Sequence, residues 1–440
     1  MKKLRPQDLR IGMYIEQLDR PWIETPYQLE GVWVTTNEDI AELKELCEYV
    51  YVSEEKGEKL DNIISNIPVS GRSKISNLAV KEKDAKNSSP YQVHYEIEHT
   101  NTRPEPSSDK KSPNSKKVYV PFEEEIGNAR DIHKRASEVV HSMYEDVRLG
   151  KSINATGAKT MVNQMVGSIV RNPDAQVWLT HLKNKDEYTA IHSLNVCIFS
   201  IAFGRHLGLP NEALNELGLG GLLHDLGKIR VPSEVLNKPG KLTTEEFGLM
   251  KEHPVHGGNI LTTTKGLSPD VIDVALSHHE RMNGTGYPHG LRAKEISYFG
   301  RIVSIVDIYD ATTSNRVYHS GMHSVDAMTQ LYTMRQGFLD SQLVEQFIQC
   351  LGIYPVGSIV ELYSGEIGVV IEINREHRLR PKILLVMDDK KQRYKPPRIV
   401  DLAQFEMIGY DTEYDIVSVH PPESFGINIK DFIASGPLAR

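Results

Sequence analysis

The residues best placed to do chemistry are polar side chains set on apolar helical faces. Leu214, Leu217, Gly218, Gly221, Leu222 and Asp225 share one stripe at helical spacing, and the stripe ends in a carboxylate. Burying an unpaired carboxylate is so costly that such groups are normally paired or bound to metal. His224 stands beside it and Lys228 follows one turn later. His192 shares a face with Val196 and Phe199. His278 follows Val271, Val274 and Ala275, with His279 immediately after, and Asp307 sits among Ile302, Val303, Ile305, Val306 and Ile308. His253, in Glu-His-Pro-Val-His, belongs to a less clearly patterned stretch. Taken singly, each has a bland explanation: a satisfied core histidine, a cap, a salt-bridge partner. Five histidines and two aspartates in one helical region point instead to a metal centre. Neutral imidazoles with a bridging carboxylate suit a pair of divalent ions such as Mn, Fe, Ni or Zn. Two such ions about 3.5–4 Å apart can clamp both oxygens of an in-line phosphoryl displacement.

These residues need a helical frame, and the sequence supplies one. After Pro121, Phe122, Ile126, Ala129, Ile132, Ala136, Val139, Met143 and Val147 repeat at three and four residues, and Met161, Met165 and Ile169 mark a second helix. The pattern stays helical to about Leu351. Ahead of it, Ile11–Ile15 and Gly31–Val34 are expected as short strands, and Thr36–Glu48 as a helix. From Thr100 to Lys117 there is no apolar residue, so a flexible linker or disordered loop is expected. Behind the helices, Val356–Leu362, Gly368–Ile373 and Lys382–Val386 are expected strands. The chain divides on this basis into a small N-terminal α/β regulatory domain (1–64), a linker (65–118), a helical domain (119–354, core 180–350) and a β-rich tail (355–440).

The 440 residues are 39% apolar and 25% charged, an ordinary globular balance that excludes collagen-like, wholly disordered and disulfide-scaffold classes. A net charge of −8 gives no general attraction to DNA, RNA or an anionic membrane, so an anionic ligand must be caught locally. Cys47, Cys197 and Cys350 lie far apart without a CxxC, which indicates neither a disulfide framework nor a zinc ribbon. No apolar window reaches the about 18 residues of a membrane span. The start, MKKLRPQDLR, lacks the apolar core of a signal peptide, so a cytoplasmic protein is expected.

His224-Asp225 within GLLHDLGKI, then EHPVHGG, HHERMNGTGYP, and Asp307 within RIVSIVDIYDATTSNR resemble the HD-GYP family of bacterial cyclic dinucleotide phosphodiesterases over about residues 180–350. The first fifty residues resemble the domain of unknown function that often precedes HD-GYP domains. The resemblance implies a mainly α fold: an HD-type all-helical hydrolase domain between the small α/β domain and the β-rich tail. It implies that His192, His224, Asp225 and Asp307 hold one metal ion and that His253, His278 and His279 hold a second, with Asp225 bridging. The ions would be Fe or Mn, with Ni or Zn as alternatives, and a water between them would be the nucleophile. Lys228 would sit beside the scissile phosphate, although a helix-end cation favoured by the dipole is the plain alternative. The loop Asn283-Gly284-Thr285-Gly286-Tyr287-Pro288 would be a lip of the active site or a docking surface for a diguanylate-cyclase-type protein. Gly284, Gly286, Tyr287 and Pro288 are then substrate-side residues, and Arg316 resembles the family's phosphate-contacting arginine.

Two departures from the family pattern matter. A third metal in some members uses a glutamate four residues before the first ligand histidine. Here that position is Tyr188, with Glu187 one step off, which favours two metals and a linear dinucleotide product. After Arg316 the chain reads Val317-Tyr318-His319, without the usual cation, and this leaves cyclic di-GMP and 3′,3′-cyclic GMP-AMP both open as substrates. The competing functions are a receptor that binds the nucleotide without cutting it and an HD-type hydrolase of another nucleotide. The helix from Phe122 to Val147 could serve a homodimer or simply the core.

Overall fold

The computed structural model describes residues 2–9, 13–19, 32–34, 37–52, 119–182, 188–314, 321–407 and 413–435. The expected linker and Arg316 lie outside them. At the N-terminus, β1 (Lys2–Leu4), β2 (Tyr14–Leu18), β3 (Val32–Trp33) and β4 (Val50–Val52) form an antiparallel sheet in the order β1-β4-β2-β3, with α1 (Asn37–Leu46) connecting β3 to β4. Ile15, Leu18, Val34, Leu43, Cys47, Val50 and Val52 make its core.

The helical part runs through α2 (Phe122–Arg148), α3 (Ala155–Arg171), α4 (Pro173–Leu179), α5 (Tyr188–His206), α6 (Asn211–Leu223), α7 (Ser233–Leu236), α8 (Thr244–Met250), α9 (His253–Thr262), α10 (Pro269–Ser277), α11 (Tyr298–Thr313), α12 (Ser324–Met334) and α13 (Ser341–Leu351). Its boundaries carry ordinary stop and start signals. The Asn154, Asn172, Ser268, Ser297 and Asp340 side chains accept N–H groups of the first turns of α3, α4, α10, α11 and α13. α5 is apolar around its whole circumference because it threads the centre of the bundle, with Leu194, Val196, Cys197, Ile198, Ile201 and Phe203 all buried.

The apolar stripe of α2 is used within the chain. Phe122, Ile126 and Ala129 pack on the C-terminal sheet, while Ile132, Ala136, Val140, Met143 and Val147 pack on the helical core. The stripe is thus covered within the chain, with Val140 buried and Val139 half-buried against the same helical core. Strands β5 (Ile359–Leu362), β6 (Ile367–Glu372), β7 (Lys382–Met387), β8 (Arg393–Asp401) and β9 (Ile416–His420) form an antiparallel sheet in the order β8-β7-β6-β5-β9. Ile367, Val369 and Ile371 of β6 face α2 and α4, and Val370 faces the second core with Val360, Ile383 and Leu402. A short α14 (Ala403–Met407) and the closing α15 (Ile429–Ser435) flank the sheet. The fold is mainly α, with a small α/β unit before the helices and a β-rich unit after them. Among the described residues, no helix is long and apolar enough to cross a membrane.

Candidate metal centre and active site

Five segments bring the polar residues together. His192 opens the second turn of α5, and His224 and Asp225 follow the last turn of α6. His253 opens α9, His278 and His279 follow α10, and Asp307 sits in the middle of α11. All are buried except His279, which is half-buried. The approach of α9 to the segment after α6 depends on Gly227, where a Cβ would lie 2.0 Å from the His253 carbonyl oxygen and 2.4 Å from the Gly257 nitrogen. No side chain fits there, so this glycine sets how closely His253 approaches Asp225.

The Asp225 carboxylate divides the cluster. Its Oδ2 lies 3.5 Å from His192 Nε2 and 3.4 Å from His224 Nε2, and its Oδ1 lies 3.4 Å from His253 Nε2 and 3.7 Å from His278 Nε2. Asp307 Oδ1 is 3.1 Å from His192 Nε2 and 3.8 Å from His224 Nε2, and its Oδ2 is 4.0 Å from His279 Nδ1. Two sets hold their donor atoms within 4.8 Å of one another: His192, His224 and Asp225, and Asp225, His253, His278 and His279. Ligands about 2.0–2.2 Å from one ion stand about 3–3.5 Å apart, close to most of these separations.

The hydrogen bonds on the far side of the rings give the cluster its meaning. His224 Nδ1 donates to the Gly221 carbonyl at 2.8 Å, His253 Nδ1 to Met250 at 2.7 Å, and His278 Nδ1 to Ala275 at 3.0 Å. His192 Nδ1 donates to Asp310 Oδ2 at 2.8 Å. With Nδ1 committed as donor, His224, His253 and His278 in their neutral form aim Nε2 lone pairs inward at the Asp225 carboxylate, while His192 directs its Nε2 at Asp307 Oδ1. His253 Nε2 and His278 Nε2 face each other at 3.3 Å. His224 Nε2 and Asp225 Oδ1 are buried without a hydrogen-bond partner. Lone pairs crowded in this way repel unless cations sit among them, so the residues fit a metal site.

The rings do not all titrate alike. Burial, the largest influence, pushes His253 down to about 3 and also lowers His278 and His279. Burial acts on His192 in the same sense, but hydrogen bonds to Asp307 and Asp310 reverse it and raise the ring to about 9. Asp225 and Asp307 are held well below the usual carboxylate range: burial opposes this, and is outweighed by Lys228 and His224 for the first and by His192 and His224 for the second. Lys228 Nζ donates to Asp225 Oδ2 at 2.6 Å and remains 22% exposed, so it borders the cluster on its open side.

Residues 181–343 match the HD domain family, residues 1–158 a domain of unknown function (DUF3391), and residues 359–408 a KOW domain associated with HD domain. The chain is 34% identical over 406 residues to the cyclic di-GMP phosphodiesterase PA4108 of Pseudomonas aeruginosa, covering 92% of this chain and 89% of that protein. The chain belongs to the HD-GYP family. It is also 34% identical over 168 residues to a cyclic di-GMP phosphodiesterase of Thermotoga maritima (38% of this chain, 45% of that protein). With the 3′3′-cGAMP-specific phosphodiesterase 1 of Vibrio cholerae it shares 35% identity over 178 residues (40% and 41%).

In this HD-GYP chain the glycine-rich loop lies against the second set of histidines. Tyr287 stacks on His279, with ring centroids 4.6 Å apart and planes 30° apart. Gly284 has φ +80°, and a Cβ on Gly286 would lie 2.4 Å from the Glu280 Cα. Pro288 follows Tyr287 through a cis bond. Two residues that sequence reasoning passed over hold the loop. Glu280, 2% exposed, accepts the N–H groups of His289 at 2.7 Å and Leu291 at 2.9 Å, and Arg281 Nη1 donates to Ser304 Oγ on α11 at 2.7 Å. Sequence reasoning also passed over Asp310 and Asn195. Asp310 orients His192 and accepts from Asn195 Nδ2 at 3.0 Å and Ser314 Oγ at 3.2 Å. Each stands three residues after a candidate ligand on the same helix, which was the available signal.

Proposed function

We propose that this protein is a metal-dependent phosphodiesterase that opens a 3′,3′-cyclic dinucleotide to a linear 5′-phosphorylated dinucleotide. The reading is carried by the inward-facing Nε2 atoms of His192, His224, His253 and His278 around Asp225, an arrangement that calls for cations. His192, His224, Asp225 and Asp307 would hold one divalent ion, and Asp225, His253, His278 and His279 a second, with Fe or Mn preferred. Such a pair supplies charge neutralisation at the phosphoryl oxygens and an activated water at neutral pH.

The chain's own groups do the rest. Asp225, with one oxygen toward each histidine set, keeps the two sets in register. Asp310 fixes the His192 ring so that its Nε2 points inward. Lys228, on the open side, places a positive charge where the leaving 3′ oxygen develops negative charge. Tyr287, stacked on His279, forms a wall of the site beside which a nucleotide would lie. Arg316 would add a bidentate phosphate contact. The named activities of the relatives support both cyclic di-GMP and 3′,3′-cyclic GMP-AMP as substrates.

The test is product analysis after incubating Mn- or Fe-loaded protein anaerobically with each dinucleotide, beside Asp225→Ala. A linear dinucleotide from one or both, and none from the variant, is expected. Tight binding with no cleavage by metal-loaded wild type would make the protein a receptor instead.

A further inference from the structure

Helix α5 carries His192 in its second turn and ends, about 20 Å away, in Arg205 and His206. There a second feature appears. A cavity of about 110 Å³ opens between the end of α5, the end of α13 and the connection from β6 to β7. His206, Gln349, Asn374, Arg375 and Arg378 supply its polar wall. Arg205, one residue before His206, has its Nε buried and lacking a hydrogen-bond partner. Burial first, and then the Arg375 guanidinium, weaken the hold of Arg205 and His206 on their protons. The buried Asp174, whose Oδ2 accepts the Ile373 N–H at 3.0 Å, offsets part of this positive charge.

Cations at a helix C-terminus complement its dipole, and this would account for Arg205 and His206 alone. It does not account for Arg375 and Arg378, which come from a different element and crowd like charge against them. Two guanidiniums and an imidazole lining one small cavity are a receptor for a compact, multiply charged anion, and the planar guanidinium forks match phosphate oxygens. The volume is below the about 300 Å³ of a site for a drug-sized ligand, so a phosphate group fills it rather than a whole nucleotide.

We propose that this cavity is a phosphate-binding site, distinct from the candidate metal centre, that takes inorganic phosphate or the terminal phosphate of a nucleotide on Arg375 and Arg378. A bound phosphate ties the end of α5 to the C-terminal sheet. The test is calorimetric titration of the full chain, stripped of metal so that the histidine cluster cannot recruit phosphate through an ion. Inorganic phosphate and guanosine 5′-monophosphate are the two probes, at fixed ionic strength. Saturable binding of one equivalent is expected, weakened at least about tenfold in Arg375→Ala/Arg378→Ala, where both side chains are exposed and the fold should persist. Lys390→Ala/Lys395→Ala removes the same charge from exposed positions outside the cavity and should bind like wild type. Tighter binding of the nucleotide identifies a terminal phosphate as the ligand, and equal or weaker binding identifies free phosphate. No saturable binding, or equal loss in both double variants, overturns the site.

Discussion

At the scale of single residues, metal binding turns on which ring nitrogen carries the proton. Asp310 decides this for His192, and its carboxylate is itself fixed by Asn195 and Ser314. Partners of this kind set ligand orientation and basicity, and their loss costs about 10–100-fold in metal affinity. Asp310→Asn keeps the shape but removes the charge and one acceptor from a buried network, so it should weaken Mn binding by about that factor in a chain that circular dichroism shows is still folded. Competition against a chromophoric chelator measures the affinity, and an unchanged value would detach Asp310 from the centre. The candidate ligands themselves were legible in the sequence because histidines and aspartates stand out on apolar faces. Asp310 and Asn195 were not, because a polar residue three positions along a helix looks like ordinary surface until the partner helix is seen to bury it.

Elements show a similar division between what can and cannot be read from the chain. The helical region and three strands of the C-terminal sheet follow from apolar periodicity. The edge strand β8, Arg393–Asp401, escapes such a reading because Arg-Tyr-Lys-Pro-Pro-Arg is polar and contains two prolines, which only an edge strand tolerates. The close approach at Gly227 is equally invisible, since nothing local distinguishes it from a turn glycine. His133, on α2, is an element-scale liability of another kind: buried, with no hydrogen-bond partner for its Nε2, it is pushed by burial down to about 4. The unfolded chain takes up a proton near pH 6.5 and the folded chain only near 4, so stability is full above about 6.5 and falls as pH drops toward 4. Between pH 7 and pH 5 this residue alone should cost about 2 kcal/mol. Urea unfolding of wild type and His133→Leu at both pH values should show the wild type losing about that much more. Equal losses would mean that the His133 ring titrates normally in the folded chain.

For the whole molecule, the helical part and the C-terminal sheet are built around a shared seam. Trp178 of α4 is fully buried there, edge-on to Phe122 of α2 at 6.3 Å between ring centroids, in a core that also takes in Ile367, Val369 and Leu384. Lys382 of β7 bridges to Glu123 of α2 at 3.2 Å, and the Ile373 N–H donates to Asp174 of α4. Trp178→Ala should therefore lower the unfolding free energy by about 3–5 kcal/mol, read from denaturant curves. A loss below about 1 kcal/mol, no more than many surface changes cost, would show that the seam contributes little.

The central claim is that two ions, held around Asp225 by opposed sets of histidines, cut a cyclic dinucleotide. The most direct measurement is turnover of the preferred cyclic dinucleotide as metal-free protein is titrated anaerobically with Mn. Linear 5′-phosphorylated product should rise with added metal and reach its plateau at two equivalents per chain. Full activity at one equivalent, or no linear product with two ions bound, would contradict it.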